Sequence, residues 1–331
     1  AHMAVSAAPL PPVCDRSVSL ETGPGGFHRF EFQAMGTLCR VDFELASPAR
    51  AAQFKAAVLG WLADFEGRFS RFRPDSLISR INRAAGREWV EIDETAAGLF
   101  ALCDWFHWTT RGVFDPTSLP LQQLWDYRAS APAIPADEDV RQALARVGWT
   151  KFRRDGRRVF LPEPGMGLDV GGIGKEYAVD HVVEMAAAHG IANCLVDFGH
   201  DLRVRGEPPE KGPWRIGLED PADPGRCWGG VAIRNRAVTS SGDYLRHFEI
   251  DGTRYGHILD PRTGRPVANG CRAVAVVAPT CTEAGMFSTT AFILGPTAGL
   301  EFLERQYQAA GCLWDETRCL QTGRFHEYLI A

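Results

Sequence analysis

The segment Leu168-Asp-Val-Gly-Gly-Ile-Gly-Lys-Glu-Tyr-Ala-Val-Asp180 is a glycine-rich loop running into a helix that extends to about His189 and closes at Gly190. Such a loop can present backbone N–H groups to a phosphate, helped by the positive end of the helix dipole and by Lys175. Two familiar versions fail. Nothing supplies the third glycine of the dinucleotide pattern GxGxxG, and the nucleoside-triphosphate loop needs Ser or Thr where Glu176 stands. A plain structural turn would explain Gly171 and Gly172 equally well.

The elements on either side of this loop decide the fold class. Upstream, residues 30–43 alternate like a strand pair around a break at Met35-Gly36-Thr37. Ser47-Pro48 starts a helix that places Phe54, Ala57, Val58, Trp61, Leu62 and Phe65 on one face, and Asp93 opens another whose Leu99, Phe100, Cys103 and Phe106 share a face. A further helix is expected over 137–147. Asp155-Gly156 and Asp251-Gly252 sit between strand-like runs and mark hairpins. Downstream, strands are expected at 194–198, 203–205, 214–218, 231–233 and 272–278, followed by helices over 280–294 and 297–310. Strands and helices come in mixed order rather than as a regular βαβ repeat, so the pattern predicts an α+β fold. Residues 1–28 read as a tail and 29–331 as a single domain.

The composition limits the function. With 36 Lys+Arg against 41 Asp+Glu the formal charge is −5, and 45% of the 331 residues are hydrophobic. The basic residues Arg153-Arg154 and Arg157-Arg158 only flank a turn, so no nucleic-acid partner is expected. No run approaches the roughly 18 to 20 apolar residues of a membrane-spanning helix. The nine cysteines are odd in number, contain no CxxC pair and fall partly in apolar runs at Cys39, Cys194 and Cys271, the usage of reduced core thiols. If Met3, after the cloning remnant Ala1-His2, is the native start, there is no signal peptide and a cytoplasmic location is favoured; a removed leader would make it periplasmic.

Three more motifs carry polar groups. Tyr255-Gly-His-Ile-Leu-Asp-Pro-Arg-Thr-Gly264 puts His257 and Asp260 where a strand meets a turn, as a base with its orienting partner or as a capped turn. Thr239-Ser-Ser-Gly-Asp-Tyr244 gathers hydroxyls and a carboxylate. Gly112-Val-Phe-Asp-Pro-Thr117 is a proline turn that Asp115 and Thr117 could simply cap.

Taken in order, these segments resemble the FAD:protein FMN transferases of the ApbE family. The resemblance runs from Phe32 to about the C-terminus. It passes through Ala34-Met-Gly-Thr37, Phe69-Ser-Arg-Phe-Arg-Pro-Asp-Ser76 with Ile78-Ser-Arg-Ile-Asn82, Phe114-Asp-Pro-Thr117 with Leu124-Trp125, and the 168–180 loop. It continues through Val196-Asp-Phe-Gly199 with Asp201, Ser241 to Tyr244, His257 to Gly264, and Ser288-Thr289 before Gly295. It implies a T-fold-like, two-lobed α+β fold with antiparallel or mixed sheets and FAD in a cleft between the lobes. The implied reaction moves FMN from FAD to a Ser or Thr of a partner protein, releasing AMP. On this template Met35 and Asn82 touch the flavin or its ribityl arm, and Ser70, Asp115, Thr117, Ser241 and Tyr244 line the nucleotide site. Asp169, Gly171, Gly172 and Lys175 hold the pyrophosphate, and His257, Ile258 and Asp260 flank the reacting phosphate.

The departures from the family pattern concern Mg²⁺. The family carries an Asp and, four residues later, a Thr as metal ligands; here Thr289 stands but the Asp position is Gly285, so weak Mg²⁺ binding is expected. Glu283, three residues after Thr280, forms a capping box rather than a substitute ligand. Glu176 and His200 stand where the family prefers glycine, and both are expected to narrow or recharge the cleft. Lys175, His257, Asp260 and Thr289 favour FMN transfer. Gly285 favours a divergent FAD-binding protein, a flavin carrier or redox protein, that has lost Mg²⁺-dependent transfer. A hydrolase splitting FAD into FMN and AMP would use the same phosphate chemistry with water as nucleophile.

Overall fold

The computed structural model describes residues 18–126, 129, 132–242 and 247–330, without the side chains of Pro224 and Arg254. Tyr244 therefore lies outside the described residues. The described chain forms two compact units, one of residues 67–172 and 247–269, the other of residues 18–66, 173–242 and 270–330. Its α-helices are α1 (Pro48–Phe69), α2 (Leu77–Ala84), α3 (Glu94–Thr109), α4 (Leu119–Leu124), α5 (Asp137–Ala145), α6 (Gly171–Ala188), α7 (Cys281–Leu294) and α8 (Pro296–Glu304). None is long and apolar enough to cross a membrane among the described residues.

The second unit is built on an antiparallel sheet. Its strands lie in the order Glu21–Thr22, Phe27–Ala34, Thr37–Glu44, Cys194–Phe198, Asp201–Arg205, Ala237–Gly242, Ala273–Ala278, Ala310–Trp314 and Cys319–Gln321. One face packs against Trp214–Asp220, Asp223–Ile233 and Leu329–Ile330 through Leu195, Val204, Val231, Ile233, Val277 and Phe325, all buried. α7 covers Ala237–Gly242 and Ala273–Ala278. α1 meets α6 through stacked rings, Trp61 on His181 at 3.9 Å and Phe65 on Tyr177 at 5.6 Å. Every described cysteine is a free thiol, and Cys39, Cys194 and Cys271 are buried, as their apolar surroundings predict.

The first unit holds α2 to α5, a three-stranded sheet of Val90–Glu91, Arg158–Phe160 and Arg153–Asp155, and two hairpins. A small core of Trp125, Val140 and Phe248 joins α4 and α5 to the hairpin His247–Ile250/Thr253–Gly256. Trp125 Nε1 donates to Gly264 O at 2.8 Å, and Gly264 has φ +73°, a conformation open to glycine.

Turn chemistry sets the strand pairing. Met35-Gly36, Gly199-His200 and Asp251-Gly252 each close a two-residue hairpin, and all six residues have positive φ, the type I′ geometry that matches strand twist. His200 (φ +71°) is a side chain in a left-handed position, which is why glycine suits it better; its N–H donates to Asp197 Oδ1 at 2.8 Å and its ring is exposed. The helix expected over 297–310 stops at Glu304, because Gln308 is left-handed (φ +63°) and Ala310–Trp314 joins the sheet edge. α2 goes unread in the sequence, being short and rich in arginine.

One carboxylate ties α6 to α7. Asp180 Oδ1 accepts from Cys281 N and Oδ2 from Thr282 N, both at 2.8 Å, with the Thr282 hydroxyl as a third donor. Arg203 Nη1 completes the set at 3.0 Å. Thr280 caps the same end in a capping box, accepting from Glu283 N at 3.1 Å while its hydroxyl donates to Glu283 Oε2 at 3.0 Å.

Asp180→Ala should destabilise the protein by about 2 kcal/mol, through loss of a cap and of one of the two carboxylates that hold Arg203, read from the urea midpoint at unchanged slope. His200→Asn should stabilise it by about 0.5–1 kcal/mol in the same measurement, because asparagine tolerates the left-handed turn.

Candidate functional site

In the first unit, polar side chains build the backbone that leads into α6. The Asn82 amide holds Leu168 from both sides, Nδ2 donating to its O at 3.0 Å and Oδ1 accepting from its N at 2.7 Å. Asp169 N donates to Pro116 O at 2.8 Å. The Asp169 carboxylate accepts from Gly171 N on one oxygen and from Arg71 Nε on the other, both at 2.7 Å. Arg71 lies within the 69–76 motif, and its role is visible only once Asp169 is placed beside it.

Gly171 and Gly172 are exposed at the start of the helix. A Cβ at Gly172 would meet no atom within 4 Å, and its φ is not positive, so neither crowding nor backbone geometry requires glycine there. The residue leaves open backbone at a helix N-terminus, where N–H groups lack intrahelical acceptors.

Asp115 and Thr117 take the capping role. Asp115 Oδ1 accepts from Thr117 N at 2.8 Å and from its hydroxyl, Oδ2 accepts from Trp149 N at 2.9 Å, and Thr117 Oγ1 accepts from Gly148 N at 2.7 Å. Thr117 is fully buried. Ser70 Oγ accepts from Phe72 N at 3.3 Å. His257 and Ile258 are half-buried just before the short strand Leu259–Asp260. The buried Asp260 is clamped by Arg262, whose N and Nε donate to Oδ1 at 2.9 Å and whose Nη2 donates to Oδ2 at 2.8 Å. Carboxylate and guanidinium thus lock the turn that follows His257.

In the second unit the chemistry gathers where α6 faces α7. Lys175 Nζ donates to Asp201 Oδ2, and Asp201 Oδ1 accepts from Ser240 N at 3.4 Å. Burial works against the Lys175 charge, but Asp201 and then Glu176 outweigh it and raise its pKa. Ser241 Oγ lies 2.9 Å from Ser288 Oγ and 3.2 Å from Thr289 Oγ1, and Ser288 Oγ donates to Gly285 O at 3.0 Å. Met35, half-buried in its strained turn (φ +50°), donates its N–H to Glu66 Oε1 at 3.2 Å.

Glu176, expected to narrow or recharge the cleft, lies inside the second unit. It is buried, and a Cβ added to Gly285 would stand 2.6 Å from Glu176 Cγ and 3.3 Å from its Oε1. The two departures from the family pattern are therefore one contact. Glu176 Oε1 lies 3.9 Å from Lys175 Nζ. Burial pushes the carboxyl up to about 8; Lys175 pulls it the other way, while Asp201 adds to the rise by its charge and by a hydrogen bond between the two side chains. Among the described residues no group of three or more His, Cys, Asp or Glu side chains is arranged to hold a metal.

Known proteins share this arrangement of elements. The family model described as ApbE family matches residues 35–314. The FAD:protein FMN transferase of Salmonella typhimurium is 28% identical over 328 residues, covering 96% of this chain and 94% of that protein. The protein of the same name from Treponema pallidum is 32% identical over 280 residues, covering 79% and 77%. Among solved structures, the ApbE protein of Thermotoga maritima superposes with a TM-score of 0.84 at 29% identity, over 92% of this chain and 100% of that one. Flavin Transferase ApbE from Vibrio cholerae gives 0.83 at 26% identity, over 94% and 100%. The matched span runs from the Met35 turn through the α6 loop, the Asp180 cap and α7 to Trp314 at the sheet edge, and the chain belongs to the ApbE family.

Proposed function

We propose that this protein is a FAD:protein FMN transferase. The observation that carries this reading is the start of α6, open backbone at Gly171-Gly172 followed one turn later by Lys175, within a chain matched to the family over residues 35–314. The N–H groups and the ammonium suit the pyrophosphate of FAD. In the reaction, a Ser or Thr hydroxyl of an acceptor protein attacks the FMN phosphorus. A new P–O ester bond forms, the pyrophosphate P–O bond breaks, and AMP departs with the electron pair.

His257 takes the hydroxyl proton. Asp260, clamped by Arg262, keeps the turn bearing His257 and Ile258 in place. Asn82, Asp115, Thr117 and Asp169 act through the backbone they hold, while Met35, Ser70, Ser241 and Tyr244 contact the flavin nucleotide. A localisation in the cytoplasm, or in the periplasm after removal of a leader, is compatible with this chemistry.

The residues present do not fit a divalent cation: among the described residues no group of three or more His, Cys, Asp or Glu side chains is arranged to hold one, and the Lys175 ammonium lies 3.9 Å from the Glu176 carboxyl.

The purified protein incubated with FAD and a Ser/Thr-bearing flavin-acceptor protein should release AMP and leave flavin on the acceptor, as read by chromatography. Intact FAD with no AMP would move the assignment to a flavin carrier or redox protein, and AMP with free FMN to a hydrolase. His257→Ala should lower the transfer rate by roughly 10² to 10⁴ while FAD still raises the melting temperature.

A further inference from the structure

We infer that Cys312 and Cys319 are a redox-active thiol pair, which closes to a disulfide by exchange with a low-molecular-weight disulfide of the glutathione class. The pair lies at the sheet edge of the second unit and includes none of the side chains assigned to the flavin nucleotide.

Strand pairing brings the two thiols together. Ala310–Trp314 and Cys319–Gln321 run antiparallel, with Cys312 opposite Gln321, Leu313 opposite Leu320 and Trp314 opposite Cys319. Side chains alternate between faces, so Cys312 and Cys319 stand diagonally on one face while Leu313 and Leu320 take the other. Cys312 is buried in the core shared with Trp214–Asp220 and Asp223–Ile233, and Cys319 packs half-buried against it. Their sulfurs meet in a hydrogen bond, with the Cys312 S–H as donor.

The register is held on both sides of Cys319–Gln321. Asp315 Oδ1 accepts from Thr317 N at 2.8 Å and from Arg318 N at 2.9 Å in the connection between the strands. Beyond the strand, Thr322 N donates to Gly311 O at 2.9 Å and Thr322 Oγ1 accepts from Gly311 N at 3.0 Å. A slip of one residue, which would turn Cys319 to the other face, is thereby opposed. Diagonal neighbours average about 7–8 Å between Cα atoms, and a disulfide takes roughly 4.4–6.8 Å. Cys319–Gln321 is the last strand of its sheet, paired along one side only, so it can lean in by that difference.

The surroundings give the two thiols unequal parts. Burial pushes Cys39 and Cys194 up to about 12, the behaviour of inert core thiols. Cys319 goes the other way. The hydrogen bond from Cys312 lowers its pKa against the opposing effect of burial, and the Gln321 amide, whose Nε2 donates to Cys319 Sγ at 3.9 Å, adds to the fall. The same thiol–thiol bond raises Cys312. Cys319 is therefore the attacking sulfur and Cys312 the resolving one. The Cys319 thiolate bonds to one sulfur of the small disulfide, whose S–S bond breaks, and the other sulfur leaves with the electron pair and takes up a proton. Cys312 then gives up its proton and attacks the Cys319 sulfur. The mixed disulfide breaks, and the second small thiol departs protonated. Two protein thiols are oxidised by two electrons, and one small disulfide is reduced to two thiols.

Trypsin cuts after Arg305, Arg318 and Arg324, so each cysteine falls on its own peptide, 306–318 and 319–324. The native full chain, incubated with glutathione disulfide, alkylated and digested without reductant, should give these two peptides as one crosslinked species by mass spectrometry. Dithiothreitol added before alkylation should separate them. Cys319→Ser should abolish the crosslink and leave Cys312 a free thiol, whereas Cys312→Ala should stop the exchange at its first step, with glutathione held on Cys319. The wild-type chain decides the matter even where a variant folds poorly. Peptides that stay separate after oxidation, peptides that crosslink only once urea has unfolded the chain, or glutathione on the exposed Cys227 with Cys312 and Cys319 both still thiols would each overturn the inference.

Discussion

The Asp180 carboxylate sets the distance and register at which α6 meets α7, and the chemistry of the second unit depends on that contact. Its oxygens accept from two backbone N–H groups, a hydroxyl and a guanidinium. Capping the positive end of α7 with a charge from another helix satisfies donors that would otherwise be buried unpaired, and it forbids sliding by a turn. Everything one turn further on inherits this register: Glu176 against Gly285, Ser288 against the Gly285 carbonyl, and Ser241 between Ser288 and Thr289.

Local rules wrote the turns and helix starts of both units. The tight turns at Met35-Gly36 and Asp251-Gly252 and the caps at Asp93 and Thr280 could be read directly, because a left-handed backbone or an unpaired N–H makes its demand within a few residues. Where a decision was made at long range, the reading ran over. The segment after α8 keeps a helix-like composition to 310, yet it turns at Gln308 because Ala310–Trp314 is wanted by the strand Ala273–Ala278. Tertiary pairing outweighed propensity there.

The structure adds local partners that the sequence does not announce. The resemblance places Asn82 at the flavin or its ribityl arm and Asp115 and Thr117 at the nucleotide; in the structure polar atoms of these side chains also hold Leu168, Trp149 and Gly148. Such roles cannot be read from one residue, since an amide that grips a ligand and one that grips a backbone look alike in sequence. Arg71 was passed over for the complementary reason: its partner, Asp169, lies 98 positions away.

Glu176 and Gly285 make the same point with more at stake. Read separately, one is an intrusive charge and the other a missing ligand, and together they suggest a decayed metal site. In space they exchange volume across a helix pair, and a glycine that costs α7 about 1 kcal/mol of helix propensity relative to alanine is what lets the Glu176 side chain lie buried.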